Sequence, residues 1–264
     1  MRLIVIVLRG SEMKKKERLM AKAMMTAAPL AGKVSLLLFV VFLFDGPFHF
    51  AKMEFSEPTA LAWDGMLSML FFVQHSGMIR RSFRRRWSNF FASPYHNSIF
   101  TLVSSAVLTA IMLLWQPSGS VLYALQGGGA WMAKGIFLMA MAGMVWGVYA
   151  LKPFDPYGRL AIVDHLGGKP PRSPQFSVNG PYLWVRHPLY FFVLLLIWAC
   201  PELTVDRLIF NILWTFWIYL GTVLEEKDLV ADFGEVYRQY QGSVPMLIPW
   251  KGRVLYVKRR AEFG

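Results

Sequence analysis

Asn179-Gly180-Pro181-Tyr182-Leu183-Trp184-Val185-Arg186-His187-Pro188-Leu189-Tyr190 is a polar, turn-forming segment that runs straight into an apolar one. Asn-Gly-Pro is turn chemistry. Pro188 suits the first position of a helix, where its missing N–H costs nothing. A helix is therefore predicted from residue 188, with Arg186 and His187 at its mouth. Free backbone N–H groups and the positive end of the helix dipole favour an anion there. A fork-shaped cation, a titratable imidazole and two aromatics, Trp184 and Tyr190, thus gather where a helix enters a membrane. Two readings of this cluster stand. One is an interfacial anchor, with the arginine snorkelling and the aromatics in the belt. The other is a binding site.

The apolar run beyond Tyr190 is one of several. The 264 residues are 55% hydrophobic and 17% charged. Apolar runs of about 18 residues or more place the chain in the membrane class, with the lipid bilayer as a partner. Ten Trp and 21 Phe suit interfacial belts and lipid-facing surfaces. The formal charge of +12 is concentrated between the apolar runs. Membrane topology accounts for it, and no nucleic acid is expected. Cys200 is the one cysteine, so no intramolecular disulfide and no cysteine metal site can form. No metal-binding spacing of His and Cys is present, and no metal is expected. Nor is there a phosphate-binding P-loop, a dinucleotide fingerprint or a Gly-x-Ser-x-Gly elbow. Gly127-Gly128-Gly129 reads as a turn.

Four transmembrane helices are predicted, over residues 30–50, 60–79, 97–115 and 130–151. The fourth carries Gly143-Met144-Val145-Trp146-Gly147, a small-xxx-small pattern that lets another helix approach closely. Residues 152–187 are polar and rich in Pro and Gly, and loops of that length are commonly functional. Residues 188–200 then form a helix of about 20 Å, short of the ~30 Å hydrocarbon core. Pro201-Glu202 breaks it and residues 208–224 return, which makes a helical hairpin. The chain divides into a basic cytosolic lead (1–29), four transmembrane helices (30–151), and a cofactor-binding loop, membrane hairpin and cytosolic C-terminal segment (152–264). The lead has no signal-peptide pattern, because its lysines follow a short apolar run instead of preceding it.

Charge sets the orientation. Arg80, Arg81, Arg84, Arg85 and Arg86 lie between the second and third spans, and the 117–129 loop has no charge. The positive-inside rule then places both termini, residues 80–96 and residues 152–187 in the cytosol. Three clusters of ionisable groups fall on that side: Arg186-His187, Glu225-Glu226-Lys227-Asp228, and Gln74-His75-Ser76. The carboxylates read as a solvated helix end or, facing Arg186-His187 across the hairpin mouth, as half of a zwitterionic pocket. His75 reads as an interhelical hydrogen-bond partner or a base.

With these residues in place, the chain resembles the isoprenylcysteine carboxyl methyltransferase superfamily of integral-membrane enzymes. The matching features are Gly180-Pro181-Tyr182, Arg186-His187-Pro188-Leu189-Tyr190, Glu225-Glu226, Phe233-Gly234 with Tyr237 and Tyr240, and Val244-Pro245-Met246-Leu247-Ile248-Pro249. Gln74-His75-Ser76-Gly77-Met78 and the basic loop after it are similar to a narrower branch, that of the methanethiol S-methyltransferases and the NnrU-like membrane proteins. The resemblance implies an all-α, polytopic membrane methyltransferase using S-adenosyl-L-methionine, with the cofactor held by Tyr182, Arg186, His187, Tyr190, Glu225 and Glu226. Arg186, Glu225 and His75 are the expected catalytic residues. A small thiol or a lipophilic molecule is the expected methyl acceptor. A prenylcysteine carboxylate, a phospholipid amine, or a non-catalytic protein of NnrU type are the alternatives. A nicotinamide-dependent, sterol-reductase-like enzyme fits less, since its motif has Asn where Leu189 stands. Two departures mark the chain: Phe192 stands where the superfamily commonly has a small residue, and Pro153 stands where the thiol branch tends to have His before Phe154-Asp155.

Overall fold

The computed structural model describes residues 2–151, 155–170 and 176–252, with side chains described from residue 15. Pro153, Phe154 and the basic end of the tail lie outside the described residues. The fold is all-α and polytopic. Four helices are long and apolar enough to cross a membrane: Lys15–Asp45, Ser93–Leu114, Gly127–Ala150 and Val205–Phe233.

Helix α1 (Arg2–Asp45) merges the basic lead with the first span, with Pro29 inside it. The span stops at Asp45 instead of continuing to residue 50. Gly46, at φ +95°, and Pro47 break it. Helix α2 (Glu57–Ile79) starts behind Ser56 with Pro in its first turn. At 23 residues it is long enough to cross, but it turns Asp64 and Ser68 into the protein. The short helix α3 (Arg81–Trp87) follows it, and then α4 (His96–Leu114). The glycine triplet expected as a turn forms the first turn of α5 (Gly127–Ala150), with Gly127 at φ +53°. The 152–187 segment is not a plain loop. It contains α6 (Arg159–Leu166), where the Asp155 carboxylate accepts from the N–H groups of Arg159 (2.9 Å) and Leu160 (2.7 Å), and a short 3₁₀ turn at Gly180–Leu183.

The hairpin consists of α7 (Pro188–Trp198) and α8 (Val205–Phe233). Helix α7 is only 11 residues long, yet the hairpin tip reaches the far end of the bundle. The chain leaves the helix at Ala199 and reaches the tip through Cys200 and Pro201. A non-helical residue can advance up to about 3.3 Å against 1.5 Å in a helix. The tip is a strand that composition did not reveal, β2 (Glu202–Thr204), paired antiparallel with β1 (Val121–Ala124) from the α4–α5 connection. Leu125 N–H donates to Pro201 O (2.8 Å) and Val205 N–H to Ser120 O (3.0 Å). Asp206 fixes the same end, accepting from Trp115 Nε1 (2.9 Å) and the Ser118 N–H (3.1 Å).

Aromatic rings fill the centre. Trp214 of α8 stacks on Phe71 of α2 (5.2 Å between centroids) and on Phe39 of α1 (5.2 Å). Beside them α7 lies against α5 on the two glycines of the small-xxx-small pattern. A Cβ on Gly143 would come within 2.3 Å of the Phe192 ring, and one on Gly147 within 2.6 Å of Leu189. Phe192 therefore fills a hole in α5.

The helix directions gather residues 80–96, 155–170, 176–187 and 225–252 at one end of the bundle. Arg80 pairs with Asp228 (3.2 Å) and Arg81 with Asp232 across it. Ser98 Oγ donates to Tyr157 O (2.7 Å). At that end α8 continues past its apolar stretch to Gly234, whose φ of +56° starts α9 (Glu235–Ser243). Glu225 and Glu226 are thus within α8, not beyond its end.

Candidate functional site

The site grows from the Asn179–Tyr190 segment. Gly180, at φ +57°, turns the chain against α5 so closely that a Cβ would lie 3.0 Å from Trp146 Nε1. Pro188 starts α7 as the sequence predicts. Two backbone N–H groups just before the helix are not free for an anion. Arg186 N–H donates to Pro245 O (2.8 Å) and His187 N–H to Met246 O (3.1 Å). The segment after α9 is thereby laid along Arg186 and His187.

Behind this backbone pairing is a closed ionic cluster. Arg186 Nε donates to Glu226 Oε1 (2.5 Å), and its Nη1 donates to Gln241 O (2.9 Å) and to Val244 O. His187 Nε2 donates to the same Glu226 oxygen (3.2 Å), while Gln241 Nε2 donates to Glu226 Oε2 (2.9 Å). The Arg186 and Glu226 side chains are 9% and 12% exposed. Breaking a pair buried to this degree by removing one partner costs about 3–5 kcal/mol, because the other charge is left uncompensated. Tyr237 contributes its hydroxyl to Glu226 (3.5 Å), and Tyr240 donates to Tyr182 O (2.6 Å). Burial raises the pKa of Tyr237, Tyr240 and Tyr182, and the Glu225 charge adds to the effect at Tyr182. All three phenols stay protonated donors at neutral pH.

Glu225 faces elsewhere. One residue along a helix is a turn of about 100°, and its carboxylate points into a cavity of about 310 Å³ between α2 and α8. His75, Arg80, Tyr190, Trp217 and Asp228 also line that cavity. Tyr190 connects the two regions. Its ring stacks on His187 at 5.7 Å and its hydroxyl interacts with Glu225. His187 Nδ1 is 3.9 Å from Glu225 Oε2. His75 sits between the rings of Phe71 and Phe100, each at 5.0 Å, and its Nδ1 is buried with no hydrogen-bond partner among the described residues.

The structure therefore divides the single zwitterionic pocket read from the sequence into two adjoining parts. Arg186, His187 and Glu226 form an internal brace that ties the hairpin to α9 and the tail. Tyr190, Glu225 and His75 face open space. Tyr182 and Tyr237 sit beside the brace. Sequence reasoning missed Gln241, which has no motif to mark it, and the Arg80–Asp228 pair at the cavity rim. A run of five arginines shows no preference for one member. Chemically, the cavity joins an imidazole, a phenol, a carboxylate and a guanidinium to an aromatic wall. That set can hold a polar cationic ligand and take up a proton.

The chain is similar to proteins named methanethiol S-methyltransferase. It is 38% identical over 202 residues to that of Pseudomonas deceptionensis, covering 74% of this chain and 74% of the relative. It is 37% identical over 197 residues to one from another Pseudomonas, covering 73% and 74%. A more distant likeness is to Nurim of Rattus norvegicus, 26% identical over 196 residues, covering 69% and 72%. No family model matches the chain. No solved structure matches it.

Proposed function

Because this chain belongs to the methanethiol S-methyltransferase family and is an integral-membrane methyltransferase, we propose that it moves a methyl group from S-adenosylmethionine to a small thiol, with methanethiol the first acceptor to test. The observation that carries this reading is the cavity of about 310 Å³ in which His75, Tyr190 and Glu225 meet.

The donor set fits the cofactor. The Glu225 carboxylate suits an ammonium group or a ribose diol. A guanidinium suits the cofactor carboxylate, and Arg80, Arg81 and Arg84 line the cavity, with Arg186 held behind the wall. Tyr190 and Trp217 line the cavity and offer aromatic faces for an adenine, whereas Tyr240 is buried beside the brace. When bound, S-adenosylmethionine supplies a methyl group on a sulfonium, already activated for attack by sulfur.

The chain's own residues position the reactants and exclude water. Arg186, His187 and Glu226 hold the wall on which Tyr190 and Glu225 are mounted. His75 lines the cavity and is the side chain that accepts the thiol proton. The thiolate is the attacking species. The basic residues of 80–86 support a cytosolic position for this end of the bundle and for both termini.

Purified protein supplied with S-adenosylmethionine and methanethiol should release dimethyl sulfide, measured by gas chromatography of the headspace. It should bind S-adenosylmethionine and not NADPH. No sulfide, together with methylation of a prenylcysteine or a phospholipid amine, would discard the thiol and keep the methyl donor.

A further inference from the structure

We propose that the corner joining α2, α3 and α4 binds the headgroup of an anionic phospholipid. The inference does not use the methyl-transfer chemistry, although Arg84 also borders the cavity between α2 and α8. It rests on charge left over after the ion pairs are counted, on stacked aromatics at membrane-interface depth, and on a cavity between them.

The charges come first. Arg80 and Arg81 are neutralised by Asp228 and Asp232. Arg84, Arg85 and Arg86 are exposed and make no ion pair among the described residues. Asp228, the carboxylate whose field reaches Arg84, already accepts from Arg80. Neighbouring side chains crowd Arg84 enough to lower its pKa, although the residue stays open to solvent.

The aromatics come second. Phe83 stacks on Trp87 at 5.2 Å and Trp87 on Phe91 at 5.3 Å. Phe90 and Phe91 remain exposed. A ladder of this kind, between α2 and the start of the membrane-crossing α4, suits the height of lipid headgroups.

Between ladder and α4 is a cavity of about 160 Å³. Arg84, Ser88, Ser93, His96 and Asn97 form its polar wall, and residues such as Met78, Trp87 and Phe91 its apolar one. A guanidinium fork with a hydroxyl and an amide suits a phosphodiester. Apolar side chains beside it suit the start of an acyl chain. A lipid phosphate offers both together, and the excess positive charge selects a headgroup with net negative charge.

The test uses the full chain in detergent, titrated by calorimetry with short-chain phosphatidylglycerol. The wild type should bind it, and should bind phosphatidylcholine of the same chain length several-fold more weakly. Replacing Arg84, Arg85 and Arg86 together by Gln should weaken phosphatidylglycerol binding roughly 100-fold, since each basic residue near a charged leaflet contributes about fivefold. Replacing the three by Lys keeps the charge and should retain most of the affinity, which guards against a folding defect in the Gln variant. Equal binding of the two lipids, or full affinity in a Gln variant of unchanged melting temperature, would overturn the proposal. Glycerol phosphate binding as tightly as phosphatidylglycerol would overturn the lipid assignment in favour of a free phosphate.

Discussion

Glu225 and Glu226 are neighbours in sequence with different surroundings, and their substitutions should part accordingly. Glu226 is the one carboxylate inside the Arg186–His187–Gln241 brace. Glu226→Gln removes the charge opposite a buried guanidinium and should cost about 3–5 kcal/mol of stability, seen as a large drop in melting temperature in detergent. Glu225 is 44% exposed and faces the cavity. Glu225→Gln should melt within about 0.5 kcal/mol of the wild type and bind S-adenosylmethionine about tenfold or more weakly, the equivalent of one charge-assisted contact. If the two variants behaved alike in melting and in binding, the division of the site would be wrong. His75→Ala belongs to the same comparison. Loss of a general base should lower turnover about 100-fold or more and leave cofactor affinity near that of the wild type. Unchanged turnover would remove His75 from the chemistry.

At the scale of elements, the seat of α7 on α5 depends on two glycines. Gly143→Ala drives a methyl into the Phe192 ring. Overpacking of a filled contact costs about 1–3 kcal/mol. Phe192→Ala in the same chain vacates the space, so the double variant should melt higher than the sum of the two single effects allows. Simple additivity would mean that the helices are not in register as described. This contact was half legible in the sequence. The small-xxx-small spacing signals a close partner, but only the structure identifies Phe192 and Leu189 as the side chains that fill it. The long apolar helices were legible because crossing a bilayer requires an apolar run of a certain length. The strand pair was not, since Val121–Ala124 and Glu202–Thr204 are too short to show an alternating pattern. That the Arg186-His187 and Glu225-Glu226 pairs would meet was legible, because turn chemistry and charge concentrate in short motifs. Their facing was not, because it depends on helix phase and on partners such as Gln241, 55 residues from Arg186.

For the whole molecule, the ion pairs and the strand pairing fix which segments share an end, and the proposed orientation rests on the charge distribution. Residues 115–126 and 199–204 meet at one end through β1, β2 and Asp206. Residues 80–96, 155–170 and 225–252 meet at the other through Arg80, Ser98 and Glu226. The first end has few basic residues and the second has the arginine run, so the positive-inside rule supports the proposal that the second lies in the cytosol. Cys200 is the only native thiol and is buried, which makes single-cysteine labelling clean in a Cys200→Ser background. Ser120→Cys should react with an impermeant maleimide from outside intact cells. Pro170→Cys should react only after the membrane is opened. Reaction of both from the same side would contradict the bundle itself, because the strand pairing and the Arg80–Asp228 bridge cannot both form with these positions at one end. Reaction from opposite sides in the reverse sense would leave the bundle intact and invert it, moving the mouth of the cavity and the free arginines of α3 to the outer leaflet.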